Sequence, residues 1–226
     1  MKNLIIFDFD DTIVDNSKLD YMGFKIPCQK LGIKFPSKLK LKTYRKKGLT
    51  AREIIKFFSN NEKIIMEFLI LRKIFLKKKS SNYLTVKPFS NLVFQKLIKS
   101  NNELVICTVN NNPKMINFFL KVNNLNQLFK KIFTIKDLGI TLENNNYSNR
   151  ILIKTSLLRL ILKNSKNQNK NFIFIGNSLE DYFAAKKSKI KFIYFQNSYL
   201  PNPKINNLIK ITKMKQLSNL IKGETN

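Results

Sequence analysis

Leu4-Ile5-Ile6-Phe7-Asp8-Phe9-Asp10-Asp11-Thr12-Ile13-Val14-Asp15 is the stretch on which the reading of this 226-residue chain turns. An apolar run of strand length, branched and aromatic, passes directly into Asp8, Asp10 and Asp11 and then a hydroxyl residue. A strand buried on both faces is continuously apolar, so Leu4 to Phe9 reads as a central parallel strand with Asp8 and Asp10 at its carboxyl end. In open α/β sheets that end is where ligands bind. Residues two apart on extended backbone face the same side, which aims both carboxylates at one cavity. At ~4 Å and an effective dielectric of ~20, two like charges repel by about 4 kcal/mol, so such a pair must share a proton or hold a cation. Acids after a strand also serve as helix caps or pair with surface lysines, and the rest of the chain has to separate these uses.

Absences narrow the chemistry further. The chain has no histidine, which removes Ser-His-Asp triads, phosphohistidine chemistry and the usual zinc sites. Neither Cys28 nor Cys107 is followed six residues on by arginine, and the two suggest no disulfide framework. The 6 glycines form no dinucleotide or Walker A loop. Carboxylate, hydroxyl, amide, lysine and a bound metal remain. The formal charge of +28 comes from lysines spread along the whole chain alongside heavy use of Asn, Ile and Phe. No basic stripe interleaved with aromatics stands out, so the charge reads as compositional drift and nucleic acid is not expected as a partner. There is no membrane-length apolar run, and the apolar start is short and ends in acids, so a cytoplasmic protein is expected.

From Asn16 to about Lys79 apolar residues recur at helical spacing, as in Ile64-Ile65-Phe68-Leu69-Leu71-Ile74-Phe75, and Thr50-Ala51-Arg52-Glu53 has the form of a capping box. This segment reads as a helical insert closing at Lys87-Pro88. The chain then alternates. Strands are expected at Leu104–Cys107, Ile132–Ile135, Phe172–Ile175 and Phe192–Phe195, with a weaker one near Leu208–Ile211. Helices are expected at Asn91–Lys99, Lys114–Val122, Lys154–Lys163, Leu179–Lys187 and near Lys213–Ile221. Strands alternating with helices imply a parallel sheet covered on both faces.

The expected strands end in polar clusters. Thr108 follows the second; by itself it could be a turn residue. Lys154 opens the helix that begins Lys154-Thr155-Ser156. The most distinctive cluster is Gly176-Asn177-Ser178-Leu179-Glu180-Asp181-Tyr182-Phe183-Ala184-Ala185. There glycine permits a tight strand-to-helix turn, Ser178 can cap the helix, and the alanine pair lets it pack closely.

In order and spacing these pieces resemble the motifs of the haloacid dehalogenase (HAD) superfamily, in its phosphoglycolate-phosphatase-like branch. Asp8-Phe9-Asp10-Asp11-Thr12 resembles its Asp-x-Asp-x-Thr, Thr108 its strand-end hydroxyl, Lys154 its lysine, and Gly176 to Ala185 its Gly-Asp-Ser-x-x-Asp-x-x-Ala-Ala. The resemblance implies a three-layer Rossmann-like α/β core over residues 1–15 and 88–226, with an α-helical cap domain inserted at 16–87. It implies a Mg2+-dependent phosphatase acting on a small phosphorylated metabolite, with Asp8 as nucleophile and Asp10 as general acid and base. Thr108 and Lys154 would hold the phosphate, with Arg52 a candidate contact from the insert. Asp8, Asp10, Asn177 and Asp181 would hold the metal. Asn177 departs from the family pattern, since an amide stands where a carboxylate is usual. Two other outcomes stay open. Lys47-Gly48-Leu49-Thr50-Ala51-Arg52-Glu53 faintly resembles the segment with which sugar-phosphate mutases grip a distal phosphate, with Arg45, Lys47 and Arg52 as contacts. A weakened member binding a phosphorylated ligand or RNA is the other. A monomer or homodimer is expected.

Overall fold

The structure is a computed structural model and describes residues 2–79, 82–139, 147–165, 170–197, 199, 201 and 203–222. In chain order its elements are β1 (Lys2–Phe7), β2 (Val14–Asp15), α1 (Ser17–Lys30), α2 (Lys38–Lys46), α3 (Ala51–Ile55), α4 (Glu62–Lys79) and β3 (Thr85–Val86). They continue with α5 (Ser90–Lys99), β4 (Glu103–Cys107), α6 (Pro113–Val122), β5 (Lys131–Phe133) and α7 (Tyr147–Ser165). The last are β6 (Lys170–Gly176), α8 (Leu179–Lys187), β7 (Lys191–Phe195), β8 (Lys210–Ile211) and α9 (Leu217–Lys222).

The chain folds as two compact units. The first comprises residues 1–14, 86–196 and 203–226, the second 15–85 together with 197–202. In the first unit a six-stranded sheet runs β5-β4-β1-β6-β7-β8 with every pairing parallel. Burial on both faces explains why β1 is apolar from Leu4 to Phe7. Leu4 and Ile6 pack with Leu157, Leu158, Ile161, Ala184 and Ala185 of α7 and α8, whereas Phe7 meets Phe94 of α5 with ring centroids 5.0 Å apart. Alternate side chains thus serve opposite helical layers, giving the three-layer α/β core.

The order of the strands locates the ligand side. From β1 the chain moves outward through β4 and β5, then returns to β6 on the other flank of β1. A sheet whose connections reverse direction in this way opens a crevice at the carboxyl ends of the strands beside the reversal. Asp8, Thr108 and Asn177 follow β1, β4 and β6, three neighbouring strands at that point.

The second unit is helical, built from α1 to α4 around Phe24, Cys28, Leu41, Ile54, Ile55, Ile65 and Phe68. The Thr50 capping box forms: Thr50 Oγ1 accepts from Glu53 N at 3.3 Å, and Glu53 Oε2 accepts from Thr50 N at 2.6 Å. At its centre Asp20 accepts from Arg45 Nε (2.9 Å) and Nη2 (2.7 Å), Arg72 Nη2 (2.6 Å) and the Tyr199 hydroxyl (3.1 Å). Both guanidinium groups also lie over the Phe24 ring. Tyr199 belongs to the stretch between β7 and β8 that joins this unit, a contribution the linear pattern gives no sign of.

Several boundaries differ from expectation. β1 ends at Phe7, so Asp8 and Asp10 are not successive same-face positions of one strand. Asp10 to Ile13 form a turn in which Asp11 takes the left-handed conformation with φ 59°, tolerable for an Asp side chain. The strand expected through Ile135 stops at Phe133, because Thr134 and Asp137 cap a short 3-10 turn over Ile135–Leu138. The polar residues before Lys154 are also helical, so Lys154 lies well inside α7 instead of opening it. Of the polar stretch 143–149, residues 143–146 lie outside the described residues. Pro27 sits inside α1. No helix among the described residues is long and apolar enough to cross a membrane.

Candidate active site

Asp8 leaves β1 with its backbone N–H still donating to Ile175 O at 2.8 Å, so its main chain is fixed by the neighbouring strand β6. The side chain is buried. Lys154 Nζ donates to Asp8 Oδ1 and, at 2.6 Å, to Asp181 Oδ1. One ammonium therefore joins the end of β1 to the start of α8, across 146 and 27 residues of sequence respectively. Lys154 is only 4% exposed, which makes it a built part of this cluster and not one of the many solvated lysines.

Charges here are out of balance. Burial raises the Asp8 carboxyl; Lys154 pulls it down, Asp181 and Asp10 push it up again, and the net result is about 8. Burial alone would lower Lys154, but Asp181 and Asp8 outweigh it and hold the ammonium above its ordinary value. Two buried carboxylates thus share one buried cation, with Asp10 adding negative charge near Asp8. A further positive charge beside Asp8 would restore its anionic form.

Asp181 is committed on both oxygens. Oδ1 holds Lys154, while Oδ2 accepts from Asn177 N (3.1 Å), Ser178 N (3.1 Å) and Ser178 Oγ (2.8 Å). In return Ser178 Oγ accepts from Asp181 N at 3.1 Å, closing the capping box that starts α8. The Asp181 side chain lies so close to Gly176 that a Cβ there would come within 2.6 Å of it, which accounts for the glycine by contact instead of by backbone angle.

Asn177 is buried, and its Oδ1 accepts from the Thr12 hydroxyl at 3.2 Å. Thr108 is buried at the end of β4, tied to β5 through Thr108 N donating to Phe133 O at 3.0 Å. Asp10 is half-buried and accepts from Asn110 Nδ2 at 3.3 Å. The structure thus brings Asp8, Lys154 and Asp181 into one bonded cluster and joins Asn177 to it through Asp181. It sets Thr108 on the adjacent strand end. Arg52 is in the helical unit, where it pairs with Glu62 and meets Met66 Sδ at 3.7 Å. Two features escaped the sequence reading. Asn110 was hidden in an Asn-rich run, and Arg150 pairs with Glu180 at 3.0 Å one helical turn before Lys154.

The donor set decides which cation fits. Asp8 Oδ2 accepts no hydrogen bond among the described residues, and Asn177 Oδ1 has a single donor. No group of three or more His, Cys, Asp or Glu residues that could hold a metal occurs among them. Hard oxygen donors in small number, with room left for water, suit Mg2+. The residues therefore fit such an ion in chemical type, with less negative charge than an all-carboxylate set.

Fold and site together describe an α/β protein that places an acidic cluster at the reversal point of a parallel sheet. The family model of haloacid dehalogenase-like hydrolases matches residues 5–195. The chain belongs to that family. No curated protein matches the sequence. Among solved structures, a candidate phosphatase from Clostridium difficile superposes with a TM-score of 0.75 at 16% identity, covering 97% of this chain and 98% of that one. A HAD-superfamily hydrolase of subfamily IA, variant 1, from Geobacter sulfurreducens gives 0.71 at 14% identity, covering 97% and 96%. A candidate phosphoglycolate phosphatase from Lactobacillus plantarum gives 0.64 at 16% identity, covering 97% and 100%. At these identities the likeness is one of fold.

Proposed function

We propose that this chain is a Mg2+-dependent phosphatase that hydrolyses a small phosphorylated metabolite through an aspartyl-phosphate on Asp8. The observation that carries this reading is Asp8 itself, a buried carboxylate at the sheet's reversal point, held through Oδ1 by Lys154 with Oδ2 accepting no hydrogen bond among the described residues. In the first step a carboxylate oxygen of Asp8 bonds to phosphorus as the ester P–O bond breaks, and Asp10 gives its proton to the departing alkoxide. In the second, water attacks the same phosphorus, Asp10 takes the proton, and the Asp8–phosphorus bond breaks to release inorganic phosphate.

Thr108 and Lys154 supply donors for the non-bridging oxygens. Asp8, Asp10 through its main-chain carbonyl by family analogy, and Asn177 are the groups that would hold Mg2+. When bound, that ion supplies the positive charge that lets an anionic carboxylate meet an anionic phosphate. Asp181, with both oxygens engaged by Lys154 and the Asn177-Ser178 turn, serves in this reading to position those groups more than to hold the ion. The helical unit serves as the cap. Arg45 is consumed by Asp20, while Arg52, in an exposed pair with Glu62, and the exposed Lys47 keep a cationic contact from this unit open.

Phosphate release from phosphoglycolate, sugar phosphates and nucleoside monophosphates, measured with Mg2+, tests the proposal. The expected result is turnover that Asp8→Asn abolishes, and free phosphate instead of an isomer from a hexose 1-phosphate. Equal rates for wild type and Asp8→Asn would overturn it.

A further inference from the structure

The loop after β4 is a ladder of side-chain to backbone turns. Thr108 Oγ1 accepts from Asn110 N at 3.1 Å, Asn110 Oδ1 accepts from Asn112 N at 3.0 Å, and Asn112 Oδ1 accepts from Met115 N at 3.1 Å, capping α6. Each rung fixes the next, so the loop is rigid at a place where Asn-rich sequence suggests only polarity. The ladder also settles which way the Asn110 amide points. Its oxygen is engaged by Asn112 N, so its NH2 must face outward, and it meets Asp10 Oδ2 at 3.3 Å across 100 residues of sequence.

We infer that Asn110 is a positioning residue for Asp10, holding the acid–base carboxylate toward the leaving-group side of the site. This rests on the phosphatase reading above and adds to it a residue that acts through Asp10. The chemical logic is that a half-buried carboxylate on a turn can swing between rotamers, whereas a donor fixed by a neighbouring strand end favours one of them. Proton delivery to an alkoxide requires Asp10 within hydrogen-bond reach of one oxygen atom. An activated phenolate departs without that proton. Asn110 therefore acts on the demand for acid catalysis more than on phosphate binding.

The test compares kcat/KM, which reports the steps through transfer of phosphorus to Asp8, for a simple alkyl phosphate and for 4-nitrophenyl phosphate. Two variants are used. Asn110→Ala removes both the donor and the rung to Asn112. Asn110→Asp keeps an oxygen for Asn112 N but replaces the donor with an acceptor. Both are expected to lower kcat/KM on the alkyl ester about tenfold more than on the aryl ester, the size of one hydrogen bond to a charged group. Both variants are expected to stay folded, with cooperative thermal transitions. Equal losses on both esters would overturn the inference, because a collapsed loop or added repulsion of phosphate harms both alike, and so would no loss on either. Failure of the phosphatase reading is separately visible, as Asp8→Asn would then retain full activity on both esters.

Discussion

Replacing Asn177 by Asp adds one negative charge at a site that is 5% exposed while preserving the side chain's shape. The bonds that hold the residue survive, since Thr12 still has an oxygen to donate to and the backbone N–H still meets Asp181 Oδ2. What changes is electrostatic. Without a cation the new carboxylate joins the acidic cluster of Asp8, Asp10 and Asp181, in which Lys154 is the buried cation that pairs with Asp8 and Asp181. At separations of roughly 4–8 Å and an effective dielectric of about 20, each like-charge pair costs about 2–4 kcal/mol. Proton uptake by Asp8, already raised to about 8, absorbs part of this. A net loss of about 2 kcal/mol in EDTA is expected, or roughly 4–8 °C in thermal midpoint for a chain of this size. With Mg2+ the sign reverses, because a divalent cation gains twice the energy of a unit charge from each carboxylate. Affinity should tighten at least about tenfold, equivalent to about 1.4 kcal/mol, and the midpoint should climb with Mg2+ more steeply than in wild type. Calorimetric titration with Mg2+ and thermal unfolding in EDTA measure the two halves independently. An unchanged or weaker affinity would show that Asn177 does not touch the ion, and an unchanged midpoint in EDTA would separate it from the acids altogether.

Lys154→Met leaves two buried carboxylates facing each other, so stability should fall by about 3–5 kcal/mol and turnover at least about a hundredfold; chemical denaturation and kinetics check both, and a stable, active variant would remove Lys154 from the site. Gly176→Ala should lose about 1–3 kcal/mol and most of its activity, since its Cβ would sit 2.6 Å from a side chain pinned by four hydrogen bonds; urea unfolding with wild-type stability would contradict that geometry. For Asp20, burial raises the carboxyl, but Arg45 and Arg72 more than offset it and hold it below 3.8. A folded value below the unfolded one means that the unfolded chain takes up the proton first, so the stabilisation is complete above the unfolded value and drains away as pH falls through the folded one. Wild type should therefore lose stability below pH 3.8 that Asp20→Asn never had, making the two urea midpoints converge; parallel curves would refute the network's role.

Local chemistry made much of this molecule legible in one dimension. β1 is apolar from Leu4 to Phe7 because both faces are covered there, and that run marks it as central. Leu179–Lys187 is a helix from the residue after its Ser178 cap, as capping chemistry demands. Asp8, Asp10, Thr108 and Asn177 could be singled out because polar groups at the ends of apolar strands are conspicuous, whereas Lys154 stood out only through the family resemblance. Length and position inside α7 were less legible, since the polar residues before Lys154 are compatible with either loop or helix until the helix packs.

What the sequence determined by itself, then, was the alternation of strand and helix, the helical periodicity between Asn16 and about Lys79, and the residue types available for chemistry, all of which follow from side-chain periodicity and local hydrogen bonding. The tertiary structure alone decided who meets whom. Only the fold shows that the Asp181 oxygens meet Lys154 and the Asn177-Ser178 turn, and that Arg45 pairs with Asp20. Asn110 gained a partner 100 residues away. Those outcomes depend on strand order and on competition between donors for a few buried oxygens, and neither is written in the spacing of residues along the chain.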